Sequence, residues 1–129
     1  MARWNEETRT VPGADVASPL SLGIQIVQYD DEAVVAVDGE LDIATVSELQ
    51  REIEPLWARP LNVLTIDLER VGFMDSSGLR TLNELRTRAE QSDVTLALFG
   101  VQPSVRRVLD ITGMASFFEL RSAPIPRAT

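Results

Sequence analysis

The amino-acid sequence predicts one α/β domain built on a mixed central sheet of about four to five strands, with helices packed against it. Three observations carry that expectation. Short apolar runs rich in branched residues alternate with stretches whose apolar positions recur at helical spacing. Their order is strand, strand, helix, strand, helix, strand, helix, short strand, with a turn signal at most junctions. The length of 129 residues fits a single domain that buries a core without metals or disulfides.

Residues 1–20 mix charges, Thr, Ser and turn formers without an apolar period, and are expected to form a mobile N-terminal arm. In the domain at 21–121, Leu22, Ile24 and Ile26 alternate with Gly23, Gln25 and Val27, a half-buried strand ending near the acidic turn Asp30-Asp31-Glu32. Residues 33–37 (Ala-Val-Val-Ala-Val) are continuously apolar, as in a central strand, and Gly39 is expected to break it. Val46, Leu49, Ile53 and Leu56 then mark the inner face of a helix whose last turn Pro55 is expected to kink and which Pro60 closes. A buried strand follows at 62–68.

The second helix, from the Asp75-Ser76-Ser77-Gly78 junction to about Gln91, turns Leu79, Leu82, Leu85 and Ala89 inward. Arg80, Glu84 and Arg88 form a charged stripe expected to be simply solvated. Residues 94–99 read as another buried strand stopped at Gly100. Pro103-Ser104 opens a third helix with Val105, Val108, Leu109 and Thr112 inward, and Gly113 suits its end. Residues 117–120 form a last short strand or apolar lid, and 122–129, with two prolines, are expected to fray.

Composition excludes much chemistry. The chain has no Cys and no His, and every basic residue is Arg. Thiolate metal sites, disulfides, Schiff bases and a phosphate-loop lysine are therefore impossible, and the usual bases that activate a hydroxyl nucleophile are missing. A net charge of −8 argues against direct nucleic-acid binding. Neither a membrane span nor a signal peptide is legible, which makes the cytoplasm the expected location. No catalytic residue, cofactor or metal is expected.

The junction at 71–79 is the functional centre. Asp75, Ser76 and Ser77 can each accept from the free N–H groups of a first helical turn, and Gly78 is expected to keep the surface there open. Spacing alone favours Ser76 as a plain cap, and likewise Asp42 as a turn or cap carboxylate; it does not choose between the hydroxyls of Ser76 and Ser77.

Three segments change that weighting: Gly39-Glu40-Leu41-Asp42, Phe73-Met74-Asp75-Ser76-Ser77-Gly78-Leu79, and the stretch from Pro103 through Gly113-Met114. In this order and spacing, over about residues 22–120, they resemble the STAS family, the sulphate transporter and anti-sigma factor antagonist domains. The resemblance is to its bacterial anti-sigma factor antagonists. It implies binding of an anti-sigma factor, usually a serine kinase, and release by phosphorylation, with a separate serine phosphatase restoring the binding form. Ser76 matches the phosphorylated serine, with Ser77 as second choice. Asp42 and Asp75 match positions of the partner-binding surface. The expected contact set is Asp42, Asp75, Ser76, Ser77, Gly78 and Arg80, the last a bulky cation where the family often has a small residue.

Two rivals follow. STAS domains also serve as scaffold subunits of stress-signalling or lipid-transport assemblies. A hydrolase would use Ser76 or Ser77 near Asp42, Asp67 or Asp75, but the sequence lacks the base and the glycine two residues before the serine that a nucleophile elbow needs.

Overall fold

The computed structural model describes Arg9–Thr10 and residues 21–122. Within the stretch expected to be an arm, the two-residue strand β1 (Arg9–Thr10) pairs antiparallel with β2 (Gly23–Tyr29). The rest of that arm, and residues 123–129 of the expected frayed tail, lie outside the described residues. The chain continues through β3 (Glu32–Leu41), α1 (Val46–Ile53), a 3-10 turn (Glu54–Ala58), β4 (Val63–Met74), α2 (Ser76–Gln91), β5 (Thr95–Phe99), α3 (Pro103–Ile111), a second 3-10 turn (Ala115–Phe117) and β6 (Glu119–Arg121).

The sheet is mixed and its strands lie in chain order from β1 to β6. The acidic turn joins β2 and β3 as an antiparallel hairpin, whereas β3 to β6 are parallel, each pair bridged by a helix. Three crossovers of one hand stepping in one direction place all three helices on one face. Burial agrees. Ile26, Val35, Ile66 and Leu98 are in register across four strands and fully or almost fully buried, in one cluster with Leu49 and Ile53 of α1, Leu82 and Leu85 of α2, and Val105 and Leu109 of α3.

Four local expectations are corrected. Gly39 does not break β3; it takes φ 138° beside a register shift, and the strand continues to Leu41. Likewise β4 does not stop at Leu68 but runs to Met74. The polar run Asp67-Leu68-Glu69-Arg70 resembles a strand end, yet Asp38 to Leu41 of β3 keep pairing alongside Arg70 to Met74. Thr112 points outward rather than inward: its hydroxyl donates to the carbonyls of Val108 (2.7 Å) and Leu109 (3.2 Å), closing the last turn of α3. The charged stripe of α2 is not merely solvated, since Glu84 accepts from Gln50 of α1 (3.0 Å) and Arg88 stacks 5.2 Å from the Trp57 ring. Pro55 does mark a change, because the α-helical ladder gives way there to the 3-10 turn.

The overrun of β3 and β4 positions everything functional. The pairing of β2 with β3 reaches only Asp38, and that of β5 with β4 only Asp67. Beyond these points residues 39–41 and 71–74 form a two-stranded ribbon that projects past its neighbours. Its free end carries two loops, one entering α1 and one entering α2.

Candidate functional site

The loop into α1 is organised by Thr45, which is 2% exposed. Its hydroxyl donates to the Glu40 carbonyl (2.6 Å) and accepts from the Asp42 amide (3.1 Å). Asp42 Oδ1 accepts from the Ala44 amide (3.0 Å), and its carbonyl accepts from the Thr45 and Val46 amides. The Asp42 carboxylate is thus the turn carboxylate that spacing suggests, half-buried and fixed at the rim of the ribbon.

The loop into α2 is one residue long. Asp75 takes extended backbone angles and caps the helix, its Oδ1 accepting from the amides of Ser77 (2.8 Å) and Gly78 (3.1 Å). Asp75 therefore does the work that Ser76 and Ser77 were also competent to do. Ser76, the first helical residue, is exposed, whereas Ser77 is half-buried. Among the described residues neither hydroxyl has a hydrogen-bond partner. The structure thus separates two serines that sequence alone could not: the exposed one is Ser76.

Gly78 has a different part from the open surface expected of it. It is buried, and a Cβ placed there would lie 2.6 Å from the Leu41 carbonyl oxygen, 2.9 Å from Leu41 Cβ and 2.5 Å from Met74 Cγ. The first turn of α2 rests directly on the end of β3, and the Asp75 amide donates to that same Leu41 carbonyl (3.1 Å). Asp42, the next residue, thereby follows directly on the backbone bond between Leu41 and Asp75. Gly78 seats the two loops together and offers nothing to a partner itself.

Arg80 is exposed, one turn after Ser76 on α2. Asp67, a candidate of the hydrolase reading, lies seven residues up β4 from Met74, about 23 Å along an extended strand. It accepts from the Glu69 amide and cannot serve Ser76. Sequence reasoning missed two residues. Ile43, next to Asp42, is 77% exposed, and Phe73, on the ribbon, is 47% exposed. Ile43 was findable as an apolar residue in a turn, out of phase with the inner face of α1. Phe73 was not, because its strand was expected to have ended.

The surface that results combines two carboxylates, a free hydroxyl, a cation and two exposed apolar side chains. A concavity of about 510 Å³ lies away from it, between Glu69, Gly100, Arg106 and Arg121. Among the described residues no group of three acidic side chains is placed to hold a metal ion. Such a projecting, mixed surface suits docking of a macromolecule better than enclosure of a small substrate.

The STAS domain model matches residues 23–124 of this chain. The chain belongs to the STAS domain family. Among its relatives is the anti-sigma-B factor antagonist of Staphylococcus epidermidis, 34% identical over 95 residues that span 74% of this chain and 88% of the relative. A solved anti-sigma factor antagonist from Mycobacterium paratuberculosis is 28% identical, covers 83% of this chain and 91% of that one, and superposes with a TM-score of 0.71. The anti-sigma factor antagonist SpoIIAA in its unphosphorylated form, at 23% identity and TM-score 0.66 over 77% of this chain and 88% of that one, shares the fold. The described residues of this STAS domain include no helix long and apolar enough to cross a membrane.

One prediction concerns the cap. Asp75→Ala leaves two amides without an acceptor and should cost about 1 kcal/mol in urea denaturation, while Asp75→Asn, which still accepts, should recover most of it. Equal losses in both variants would mean that the carboxylate charge, not the cap, is what matters.

Proposed function

We propose that this STAS domain is an anti-sigma factor antagonist that binds an anti-sigma factor which is itself a serine kinase, and that phosphorylation of Ser76 ends the association. The observation that carries the reading is the division of labour at the start of α2. Asp75 holds the helix cap, so the adjoining Ser76 hydroxyl is exposed and unclaimed on a rigid support. A kinase can reach it without unfolding the sheet behind it. Ser76 Oγ receives the γ-phosphoryl group of ATP, ADP leaves, and the hydroxyl proton passes to the kinase. A separate serine phosphatase returns the free hydroxyl. Bound to its partner, the unmodified protein frees a sigma factor for transcription, an exchange that belongs in the cytoplasm and needs no contact with nucleic acid by this acidic chain.

The relatives named as anti-sigma-B factor antagonists support the partner class. The geometry supports the switch site, with Asp42, Asp75, Ile43 and Phe73 around it forming the docking surface. The test is incubation with the cognate kinase and ATP, followed by peptide mass spectrometry. Phosphate is expected on Ser76, none on the half-buried Ser77, and Ser76→Ala should remain able to bind yet accept no label here. Labelling of Ser76→Ala as strong as wild type defeats the assignment. A pull-down that recovers neither a kinase nor a sigma factor would favour the scaffold role instead.

A further inference from the structure

We propose that Arg80 holds the phosphate placed on Ser76, so that modification adds negative charge to the docking surface and at the same moment withdraws an exposed cation from it. The inference rests on the reading of Ser76 as the modified residue. Three features of α2 carry it. First, the place where a phosphate at a helix start would ordinarily settle is taken: the Ser77 and Gly78 amides already donate to Asp75 Oδ1. A phosphate on Ser76 meets that carboxylate and is turned outward, away from the helix axis.

Second, the next group in its path is Arg80. Residues four apart share one face of a helix, and long side chains lean toward the N-terminus, which aims the Arg80 guanidinium back at position 76. An acidic group preceding a cation by four residues is also the favourable orientation of such a pair. Third, Arg80 is available. Of the arginines on α2, Arg86 is bound by Asn83 and Glu90 and lies 5.3 Å from the Phe117 ring, and Arg88 meets Glu54 and Trp57. Arg80 is exposed and has no partner among the described residues. Glu84, one turn further along, accepts from Gln50 and forms no ion pair with Arg80 among the described residues. The groups facing the phosphate are then Arg80 from α2, Asp75 from the cap and Asp42 from the loop beside Leu41.

A planar guanidinium matches the phosphate oxygens with two parallel hydrogen bonds, so the pair has a defined geometry. In the unmodified protein Arg80 is open to an acidic patch on the partner; in the phosphoprotein it is occupied. Release thus has two parts, an added repulsion and a lost attraction.

The test uses the full chain with phosphoserine installed at position 76 during translation, so that no kinase is involved. Phosphorus NMR titration is run on this protein and on its Arg80→Gln, Arg80→Lys and Arg88→Gln forms. Pairing stabilises the dianion, so the second phosphate pKa, ordinarily about 6, should rise by roughly 0.2 to 0.4 in Arg80→Gln, an amount set by the strength of such helix pairs. Arg80→Lys should recover part of it, and Arg88→Gln none of the effect. Equal titrations for wild type and Arg80→Gln overturn the pairing alone, whereas a kinase that leaves Ser76 unlabelled overturns the reading on which it rests.

Discussion

Phosphorylation of Ser76 should weaken association with the anti-sigma factor by about a hundredfold while leaving the melting temperature of the free protein nearly unchanged. The two halves of this expectation come from different physics. Phosphate adds about −1.5 to −2 charges at neutral pH, and a helix start tolerates negative charge, with an effect of about 0.3 to 1 kcal/mol at most. The fold therefore survives modification. Docking is another matter, because across a partly desolvated interface the phosphate meets the acidic patch of the partner that Arg80 faces in the unmodified protein. Two unit charges about 6 Å apart at an effective permittivity of about 20 repel by roughly 3 kcal/mol, which is about a hundredfold in affinity. Calorimetry on purified phosphoprotein and unmodified protein, with parallel thermal melts, measures both halves. Ser76→Asp carries one charge and should fall between them. Equal affinities for all three proteins would eliminate repulsion as the basis of release, and a large drop in melting temperature would point to refolding instead.

Most of the fold was legible because its elements announce themselves by period. Leu22, Ile24 and Ile26 alternate with Gly23 and Gln25, and Leu82, Leu85 and Ala89 recur at helical spacing, so their burial follows from the pattern. The misjudged boundaries have one cause. Where two strands overrun their neighbours they lose the flanking strands, and glycine or charged residues stand where a strand end is ordinarily marked, although the hydrogen bonding between the two continues and Leu41, Val71 and Met74 stay buried. Hence Gly39 looked like a stop and Asp67-Leu68-Glu69-Arg70 like an end, while the chain made a ribbon of both. The outward turn of Thr112 has the same kind of origin: a hydroxyl that can bond to the preceding turn satisfies the helix end instead of the core.

For the site, residue type and local order were enough to find Asp42, Asp75 and Ser76 as a group, but not to divide the work among them. Ser, Thr and Asp are all competent caps, so which of Asp75, Ser76 and Ser77 accepts the free amides depends on backbone angles that composition does not encode. The half-burial of Ser77 depends on the direction from which α2 meets the ribbon. The role of Gly78 was hidden most deeply. In sequence it is a small residue near a helix start, compatible with an open surface; only the approach of Leu41, 37 positions earlier in the chain, shows that the space beside it is occupied.

That approach makes Gly78→Ala the second large effect expected, a loss of about 2 kcal/mol in stability together with a weaker grip on the partner. Alanine in a helix is favoured over glycine by up to about 1 kcal/mol, so a substitution here would stabilise if space allowed. Space does not allow it, since the new methyl would stand 2.6 Å from the Leu41 carbonyl oxygen and 2.9 Å from Leu41 Cβ. The Met74 side chain, at 2.5 Å, is itself buried, and the carbonyl is backbone and is held by the Asp75 amide. Relief therefore requires α2 to lift from the ribbon, breaking the backbone bond between Leu41 and Asp75, at an overpacking cost of about 1 to 3 kcal/mol plus the lost bond. Gly72→Ala is the matched control. It lies on the same ribbon, is exposed, and a Cβ there meets only the end of Gln102 at 3.8 Å, so its stability should stay equal or rise slightly. Urea denaturation of both variants, with binding measured for each, separates a general effect of glycine replacement from the seating of the two loops. If Gly78→Ala proved as stable as Gly72→Ala and bound its partner normally, the contact with Leu41 could not be what holds the docking surface together.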